Sequence, residues 1–318
     1  MDPVTHTLFG VGLANAFFRK RIGSPAVLVL AIASSLPDID AVVHLTGDPA
    51  AILMRRTFGH SVFLLPLWSS VLAMILRRFY PDVGFTRLLG LVLLGAYLHL
   101  FFDLVNSFGV VLFWPFSDWR PELGIIFIID LILTGLLAAP LLLAVFRRLR
   151  PHLILLSQIA MAGVAVYILF CETNRMIAKQ TLASESAQLA ARPDFSYVFP
   201  EPLGPHRWRG VVRIGDTYRI YLIHTLSSRI ELVGQTQTAV GQPAVEQVRK
   251  TVLGRRLEWF FKAPVWTVEG GPALTKNSFS DPVVVSVQDL RFRPVVIDRG
   301  NIFTFRFRVF PDGRVEAL

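Results

Sequence analysis

The sequence contains a single cysteine, Cys171, among its 318 residues, so no intrachain disulfide can form. Charged residues make up only 17% of the chain and hydrophobic residues 53%. This composition is too apolar for an ordinary soluble protein and indicates membrane spans. The sequence also has no internal repeat, phosphate-binding glycine loop or nucleophile elbow. These absences argue against solenoids, P-loop nucleotide enzymes and serine hydrolases of the elbow type.

Acidic residues are the minority among the charged ones. The chain has 23 Asp and Glu against 32 Lys and Arg, for a net charge of +9. On a membrane protein, such an excess suits anionic headgroups and phosphate-bearing ligands as well as nucleic acid. We therefore expect membrane lipids and a lipid-like or phosphate-bearing substrate as partners, and we do not expect nucleic acid.

The long apolar runs all lie in the first half of the chain, and they predict an α-helical membrane bundle of about six spans. The first two spans are short and could be re-entrant. The runs are residues 4–18, 25–45, 60–75, 88–105, 125–146 and 153–171. We predict a transmembrane helical domain over 1–172, a linker helix over 173–196 and a soluble, mainly β domain over 197–318.

Basic clusters predict the orientation of the spans, because cytoplasmic loops are enriched in Lys and Arg. The clusters at 19–21, 77–87 and 147–150 lie at alternate ends of the predicted spans. If all three are cytoplasmic, both chain termini are extracytoplasmic in a bacterial inner membrane. Arg55 and Arg56 break this pattern because they fall on the outer side, and a role in a site would explain the exception.

His99 and Asp103 lie toward the end of the apolar run 88–105, four residues apart and therefore on one face of a helix. Ionisable groups inside a membrane span are costly and indicate a functional site. Imidazole and carboxylate together are common ligands of zinc and related divalent ions. Taken alone, the pair is equally consistent with a structural His–Asp hydrogen bond.

The predicted topology places further polar residues at the same outer level of the membrane. Scattered structural hydrogen bonds are not expected to share one depth, so a common metal site is favoured. The candidate ligands are His6, Asp38, Asp40, His60, His99 and Asp103, with Asp130 at a similar depth. They could hold one or two divalent ions, zinc being the first choice and manganese the alternative. On a regular helix Asp38 and Asp40 would point apart and only one would bind, whereas Pro37 makes an irregular segment plausible.

The C-terminal part changes from helical to period-two patterning. In residues 301–309 apolar side chains alternate with Thr304, Arg306 and Arg308. Such alternation is typical of a half-buried antiparallel strand. Residues 218–223 and 282–287 are predicted as further strands, and residues 243–261 as one helix. We therefore expect a soluble α+β domain with an antiparallel sheet.

Several short motifs resemble those of a family of inner-membrane-associated metal-dependent hydrolases, also described as LexA-binding. The matching stretches are Thr5–Gly10, Leu36–Asp40, Arg56–Ser61, Leu98–Asp103, Asn106–Gly109 and Trp114–Phe116. The resemblance covers residues 1–170 and implies a metal-dependent hydrolase without specifying its substrate. Family members often have His-Arg-Gly before the Thr of the third motif, whereas here Arg55 and Arg56 precede Thr57, so a potential extra His is absent. A looser similarity is to zinc-dependent phospholipase C and related nucleases, whose later HxxxE ligands have no match.

These observations predict a membrane-embedded hydrolase in which metal-activated water attacks a lipid-linked ester or phosphoester at the outer membrane face. We assign Asp38 to the metal, Asp40 to a ligand or general base, and Arg56 to phosphate or substrate contact. For Arg56 the alternative is a headgroup-contacting arginine. One alternative function is a divalent-metal transporter or sensor without hydrolysis. Another is a cytoplasmic partner-binding or DNA-binding role for the basic C-terminal part.

Overall fold

The computed structural model describes residues 1–269, 281–296 and 303–318, and these residues form two compact units. The first unit contains Met1–Thr173 and Leu203–Pro205, and the second contains Asn174–Pro202 and His206–Leu318. The first unit is helical. The second contains two antiparallel sheets. The predicted order of a helical region followed by a sheet-containing domain is therefore confirmed.

The helices of the first unit follow the apolar runs, although their bounds differ from the predicted ones. They are α1 (Pro3–Leu13), α2 (Arg19–Ile22), α3 (Ser24–Ala33), α4 (Leu65–Phe79), α5 (Phe85–Val105), α6 (Leu131–Leu143) and α7 (Leu153–Ser186). A π-helical segment, Ala14–Phe18, joins α1 to α2. Helix α7 combines the predicted sixth span and the predicted linker helix.

An irregular stretch lies between α3 and α4. It contains three 3₁₀ segments, Leu36–Thr46, Pro49–Met54 and Phe58–His60. The prediction that the third span begins near His60 is wrong, since α4 begins only at Leu65. The reason is local: Val62 N donates to the carbonyl of Leu112, and Ser61 Oγ donates to the carbonyl of Trp114. These residues are bonded to the connection after α5 instead of continuing a helix.

The fifth predicted span, 125–146, is also shorter than expected. Its helix α6 covers Leu131–Leu143. Asp130 has extended backbone angles and its Oδ1 accepts a hydrogen bond from Leu133 N at 2.9 Å, so it caps the helix. Before it, Ile125 N donates to the carbonyl of Val105. Asp130 therefore lies at the start of the helix and not a turn and a half inside it.

The membrane spans can be counted by helix length and composition. Two helices among the described residues are long and apolar enough to cross a membrane, Phe85–Val105 and Arg150–Ser186. Two bent pairs raise the number to four if each is one span: Ser24–Ala33 with Leu36–Thr46, bent by 43°, and Ala50–His60 with Leu65–Phe79, bent by 75°. The predicted six spans are not confirmed. The bend in the first pair agrees with the expectation that an early span could be re-entrant.

Helix α5 lies at the centre of the first unit. Of its 18 most apolar consecutive residues, 56% are buried, against 22% for the corresponding part of the helical stretch Arg150–Ser186. One core cluster packs Leu88, Leu91 and Val92 of α5 against α3, and another packs Phe102 and Val105 against α1, α6 and α7. Large apolar side chains on α4, α6 and α7 are exposed, as expected for helices that face lipid.

The second unit contains two four-stranded antiparallel sheets. The first has the order β1 (Phe195–Pro200), β2 (Arg207–Ile214), β3 (Thr217–His224) and β4 (Arg229–Gln237). The second has the order β5 (Pro264–Glu269), β6 (Val283–Asp289), β7 (Thr304–Val309) and β8 (Val315–Ala317). The predicted strands at 218–223 and 282–287 correspond to β3 and β6.

The alternation in β7 is confirmed. Phe307 and Val309 are buried, while Thr304, Arg306 and Arg308 are exposed. Residues 301 and 302 of the predicted strand lie outside the described residues. The side chain of Phe307 faces the same side as that of Val285, its partner on β6.

The predicted single helix over 243–261 is wrong, because two helices occupy this range. They are α8 (Pro243–Lys250) and α9 (Val252–Phe260). Thr251 lies between them with extended backbone angles, and its Oγ1 accepts a hydrogen bond from Gly254 N. The threonine is therefore the N-cap of α9.

A buried ion pair holds part of the second unit together. Arg209 Nη1 lies 3.0 Å from Glu201 Oε1, and Glu201 Oε2 accepts from the backbone N–H groups of Val295 and Val296. Burial raises the pKa of Glu201, although the charge of Arg209 opposes this effect.

Candidate metal centre

All six predicted ligand residues come together in the first unit. They lie where α1, α5 and the irregular stretch before α4 meet, and five of the six are almost completely buried. They are His6, Asp38, Asp40, His60, His99 and Asp103. Asp38 is the exception, with 14% of its side chain exposed.

Two helices supply three of these residues. His99 and Asp103 are one turn apart on α5, and His99 Nε2 lies 3.4 Å from Asp103 Oδ2. His6 ends the first turn of α1, a helix that begins with Pro3 and is capped by Asp2, whose Oδ1 accepts from Thr5 N. The cap therefore fixes the helix end close to the position of His6.

Three glycines allow these segments to approach closely. A Cβ at Gly10 would lie 2.4 Å from the carbonyl oxygen of Leu30, and one at Gly95 would lie 2.8 Å from the Cβ of Ala33. A Cβ at Gly59 would lie 2.1 Å from the carbonyl oxygen of Pro37. All three contacts involve the end of α3 or the 3₁₀ segment that follows it, so the glycines bring the other segments against the part of the chain that carries Asp38 and Asp40.

Asp103 is the centre of the cluster. Its Oδ2 lies 2.7 Å from Arg56 Nε and 3.1 Å from His60 Nε2. Its Oδ1 lies 3.1 Å from His6 Nε2 and also contacts the amino group of Met1. One carboxylate therefore joins α1, α5 and the segment before α4.

His60 and His99 face each other with their Nε2 atoms 3.1 Å apart. The other ring nitrogen of each is in contact with an acceptor. His60 Nδ1 donates to Asp40 Oδ2 at 2.9 Å, and His99 Nδ1 donates to the carbonyl of Ser34 at 2.6 Å. In the neutral rings both protons are therefore on Nδ1, and two lone pairs face each other across the gap. Two lone pairs at this distance repel each other, and either a metal ion or a proton between the two nitrogens removes the repulsion.

The carbonyl that holds His99 is available because of the end of α3. Ser34 is the C-cap residue of this helix, and the last carbonyls of a helix have no partner within it. The chain then bends into the 3₁₀ segment Leu36–Thr46. The break after α3 thus provides the acceptor that orients an imidazole on α5.

His6 completes the set of three histidines. Its ring is stacked on that of His99, with centroids 3.6 Å apart and an angle of 15° between the planes. Its Nε2 points to Asp103 Oδ1. The three imidazoles and the carboxylate therefore form one continuous cluster.

Two overlapping groups of side chains could hold a metal ion. One is His6, His99 and Asp103, and the other is Asp38, His60 and His99. The separations of 3.1, 3.1 and 3.4 Å among His60 Nε2, His99 Nε2 and Asp103 Oδ2 are close to those between ligands that share one ion. With metal–ligand bonds of about 2.0–2.2 Å, neighbouring ligand atoms are about 3.0–3.6 Å apart. The residues therefore fit a divalent metal.

Asp38 provides a further observation in favour of this fit. Its Oδ1 accepts a hydrogen bond from Arg55 Nη2 at 2.7 Å, whereas its Oδ2 is buried and has no hydrogen-bond partner among the described residues. A buried carboxylate oxygen without a donor is costly. Asp38 belongs to the second of the two groups, and a cation bound by Oδ2 would satisfy this atom.

Arg55 and Arg56 have different surroundings. Arg55 is partly exposed, and besides Asp38 its Nε lies 3.3 Å from Asp40 Oδ1. Arg56 is buried, donates from Nη1 to Asn106 Oδ1 at 3.0 Å and lies over the ring of Phe108. Its backbone has a φ of 59°, which is uncommon for a residue other than glycine. The two arginines that break the charge pattern of the membrane topology are thus both bound in the site.

Sequence reasoning missed three contributors. These are the Ser34 carbonyl, the Thr57 N–H that donates to Asp40 Oδ2, and the Asn106 side chain that joins Arg56 to Asp103. Two are backbone groups, which leave no signal in residue identity. Asn106 is a polar residue at the end of an apolar span, and that position could have identified it. Asp130, expected at a similar depth, instead accepts from Tyr167 and caps α6.

This fold and site define a class of protein: a membrane protein with apolar helices and a buried His/Asp cluster. The chain belongs to the family described as YdjM inner membrane protein, whose model matches residues 1–176. This confirms the family resemblance and supports membrane localisation.

A curated relative is similar over part of its length. The chain is 35% identical over 133 residues to an uncharacterized protein, YfhP, of Bacillus subtilis (strain 168). The match covers 40% of this chain and 41% of the relative, so the chain spans about two-fifths of the length of the curated relative that it matches. No solved structure matches the chain.

Proposed function

We propose that this protein is a membrane-embedded, metal-dependent hydrolase that cleaves a lipid-linked ester or phosphoester. The observation that carries the proposal is the 3.1 Å separation of the Nε2 atoms of His60 and His99, beside the Asp103 carboxylate. A metal ion satisfies all three groups at once. Scattered structural histidines have no need to be arranged in this way.

The proposed ligands are His6, Asp38, His60, His99 and Asp103. When bound, the metal would lower the pKa of a coordinated water and polarise the bond to be broken. The mixed nitrogen and oxygen donor set suits zinc, with manganese as the alternative. Since His99 belongs to both candidate groups, the set would serve one ion, or two ions that share this histidine or Asp103.

The remaining side chains would bind and orient the substrate. Arg55 is the more accessible of the two arginines, with 22% of its side chain exposed, against 6% for Arg56. Arg56 as a substrate contact stays a prediction, and its present contacts also suit it to hold Asp103 in place. Asp40 as a general base likewise stays a prediction. Its Oδ2 already accepts from both His60 and Thr57.

The membrane setting supports a lipid-like substrate. The cluster is built on apolar helices, and large exposed apolar side chains such as Phe101 on α5 and Val4 on α1 lie on the same elements as the ligands. A substrate with an acyl or isoprenoid chain could therefore reach the site from the hydrocarbon region, with its ester or phosphoester at headgroup depth.

Metal content and turnover of detergent-purified protein test the proposal. We expect at least one tightly bound zinc or manganese ion per chain. We also expect His99→Ala to lose both the metal and any esterase or phosphodiesterase activity on lipid substrates. His152→Ala is the matched control, because His152 is exposed and lies outside the cluster. If the wild-type protein binds less than one transition metal per chain, and His99→Ala does not change the amount, the proposal is wrong.

The same purified protein decides between hydrolysis and transport. A divalent-metal carrier or sensor would bind the metal, release it across proteoliposomes and turn over no ester. The proposed enzyme would retain the metal and show no uptake. Buried histidines and carboxylates can serve either function, so turnover is the deciding measurement.

A further inference from the structure

The two acidic residues of the Leu36–Thr46 segment have different surroundings. Asp40 contacts a histidine ring: its Oδ2 accepts from His60 Nδ1 at 2.9 Å and from Thr57 N at 3.0 Å. Its Oδ1 lies 3.3 Å from Arg55 Nε and makes no hydrogen bond among the described residues. Asp38 also has one buried oxygen without a hydrogen bond in the part of the chain that the structure describes, but its other oxygen accepts from Arg55 Nη2. The side chain of Asp40 is completely buried. It belongs to neither candidate group of metal ligands among the described residues.

We propose that Asp40 is a positioning residue for His60. By accepting the Nδ1 proton, it holds the imidazole as the tautomer whose Nε2 lone pair faces His99 and Asp103. The alternative tautomer would carry its proton on Nε2, 3.1 Å from Asp103 Oδ2, which would accept it. That proton would occupy the atom needed for a metal. A carboxylate on the far nitrogen of a ligating histidine fixes the ring and increases its basicity.

Arg55 completes the arrangement by linking the two carboxylates. Its Nη2 holds Asp38 and its Nε faces Asp40, so one guanidinium spans both residues of the 3₁₀ segment. In a 3₁₀ helix with three residues per turn, positions two apart do not share a face. The shared arginine therefore brings the two carboxylates together, with Asp38 left to ligate and Asp40 left to orient.

The tautomer of His60 can be measured without any metal. Metal-free protein with ¹⁵N-labelled histidine, in detergent and mildly alkaline buffer, gives separate signals for protonated and unprotonated ring nitrogens, and His60→Asn identifies the signal of this residue. We expect Nδ1 of His60 to carry the proton in the wild type. Asp40→Ala should move the proton to Nε2. Asp40→Asn, which keeps an oxygen acceptor, should largely retain the wild-type tautomer. A proton on Nε2 in the wild type, or no change in Asp40→Ala, would overturn the proposal.

Zinc affinity provides the second measurement, and this part rests on the proposed metal site. We expect Asp40→Ala to weaken zinc binding by about 10–100-fold, and Asp40→Asn to weaken it less. Asp48→Ala is the matched control. It removes an aspartate from the same irregular stretch, whose Oδ1 accepts only from Ala50 N among the described contacts. Equal affinities for Asp40→Ala and Asp48→Ala would contradict the positioning role.

The two measurements separate the two proposals. If the wild type binds no zinc while Nδ1 of His60 is protonated, the metal-dependent function fails and the positioning role stands. If zinc binds and the proton is on Nε2 in the metal-free protein, the positioning role fails alone. If the Asp40→Ala protein does not accumulate in membranes, the position of the His60 proton in the wild type and in Asp40→Asn still tests the positioning role.

Discussion

Arg56 brings a permanent charge into the buried cluster, and Asp103 is the carboxylate that balances it. Their contact of 2.7 Å is buried. Removing one partner of a buried ion pair lowers the free energy of unfolding by far more than the intact pair contributes to it. The stability of the site should therefore depend on the two residues as a pair.

A double-mutant cycle measures this dependence. We expect Asp103→Asn and Arg56→Gln each to lower the free energy of unfolding by about 3–5 kcal/mol. The loss of unfolding free energy in the double variant should be about 1–3 kcal/mol smaller than the sum of the losses in the two single variants. Denaturant unfolding of purified protein in detergent gives the four values. Asp82→Asn, at an exposed position between α4 and α5, should change stability by less than about 0.5 kcal/mol. Additive costs for the two single variants would refute the pairing.

The sequence predicted which His and Asp residues come together, but it did not predict their individual contacts. Ionisable residues in apolar runs are rare enough that His6, His60 and the pair on α5 could be identified from the sequence alone. The different contacts of Asp38 and Asp40 could not be predicted, because they depend on which donors lie next to each carboxylate. Those donors include backbone groups, and residue identity carries no information about them.

Helix α5 offers an internal comparison at the scale of an element. Gly95 faces α3, where a Cβ would lie 2.8 Å from Ala33 Cβ and 3.1 Å from Ser34 N. Gly90 lies on the same helix, and a Cβ there would meet nothing within 4 Å. The two glycines have the same helix propensity cost and differ only in their neighbours.

Alanine substitution should therefore act in opposite directions. We expect Gly95→Ala to lower stability by about 1–3 kcal/mol, because α5 must move away from α3. Zinc binding should weaken with it, since the Ser34 carbonyl would no longer be aligned with His99 Nδ1. Gly90→Ala should be neutral or stabilise by up to about 1 kcal/mol. Thermal unfolding and zinc titration of both variants test this expectation, and equal behaviour of the two would contradict it.

The elements themselves were predictable where one strong pattern dominates. The long apolar run of α5 and the alternation of β7 each predicted the right element to within a few residues. The chain from Val164 to Ser186 contains neither Gly nor Pro, so nothing interrupts α7 where the apolar run ends. The stretch between α3 and α4 was not predictable, because its 3₁₀ segments are stabilised by contacts to residues that follow much later in the chain.

At the scale of the whole molecule, the orientation in the membrane follows from the basic clusters. The outer pair that broke the pattern, Arg55 and Arg56, is bound to carboxylates in the site and so does not act as a loop charge. The remaining basic clusters still favour a cytoplasmic location for the loop between α4 and α5. From these clusters we expect the C-terminal unit to be extracytoplasmic and the His/Asp cluster to lie toward the outer face.

Reporter fusions test this orientation. We expect alkaline phosphatase fused after Leu318 to be active and green fluorescent protein at the same point to be dark, since the first needs an oxidising compartment and the second folds in the cytoplasm. Fusions near Asp82, between α4 and α5, should give the opposite pair of results. Fluorescence after Leu318 would place the second unit in the cytoplasm and would favour the partner-binding alternative for it.

The pairing of Arg56 with α5 also has a consequence for biosynthesis. Arg56 is made about 50 residues before Asn106, the residue that holds its guanidinium together with Asp103. At synthesis rates of about 5–20 residues per second, the arginine exists for roughly 2–10 s before its partners leave the ribosome. During that interval no carboxylate from α5 can balance its charge. We therefore expect Arg56 to stay at the insertion machinery or the membrane surface until α5 supplies Asp103 as its counter-ion.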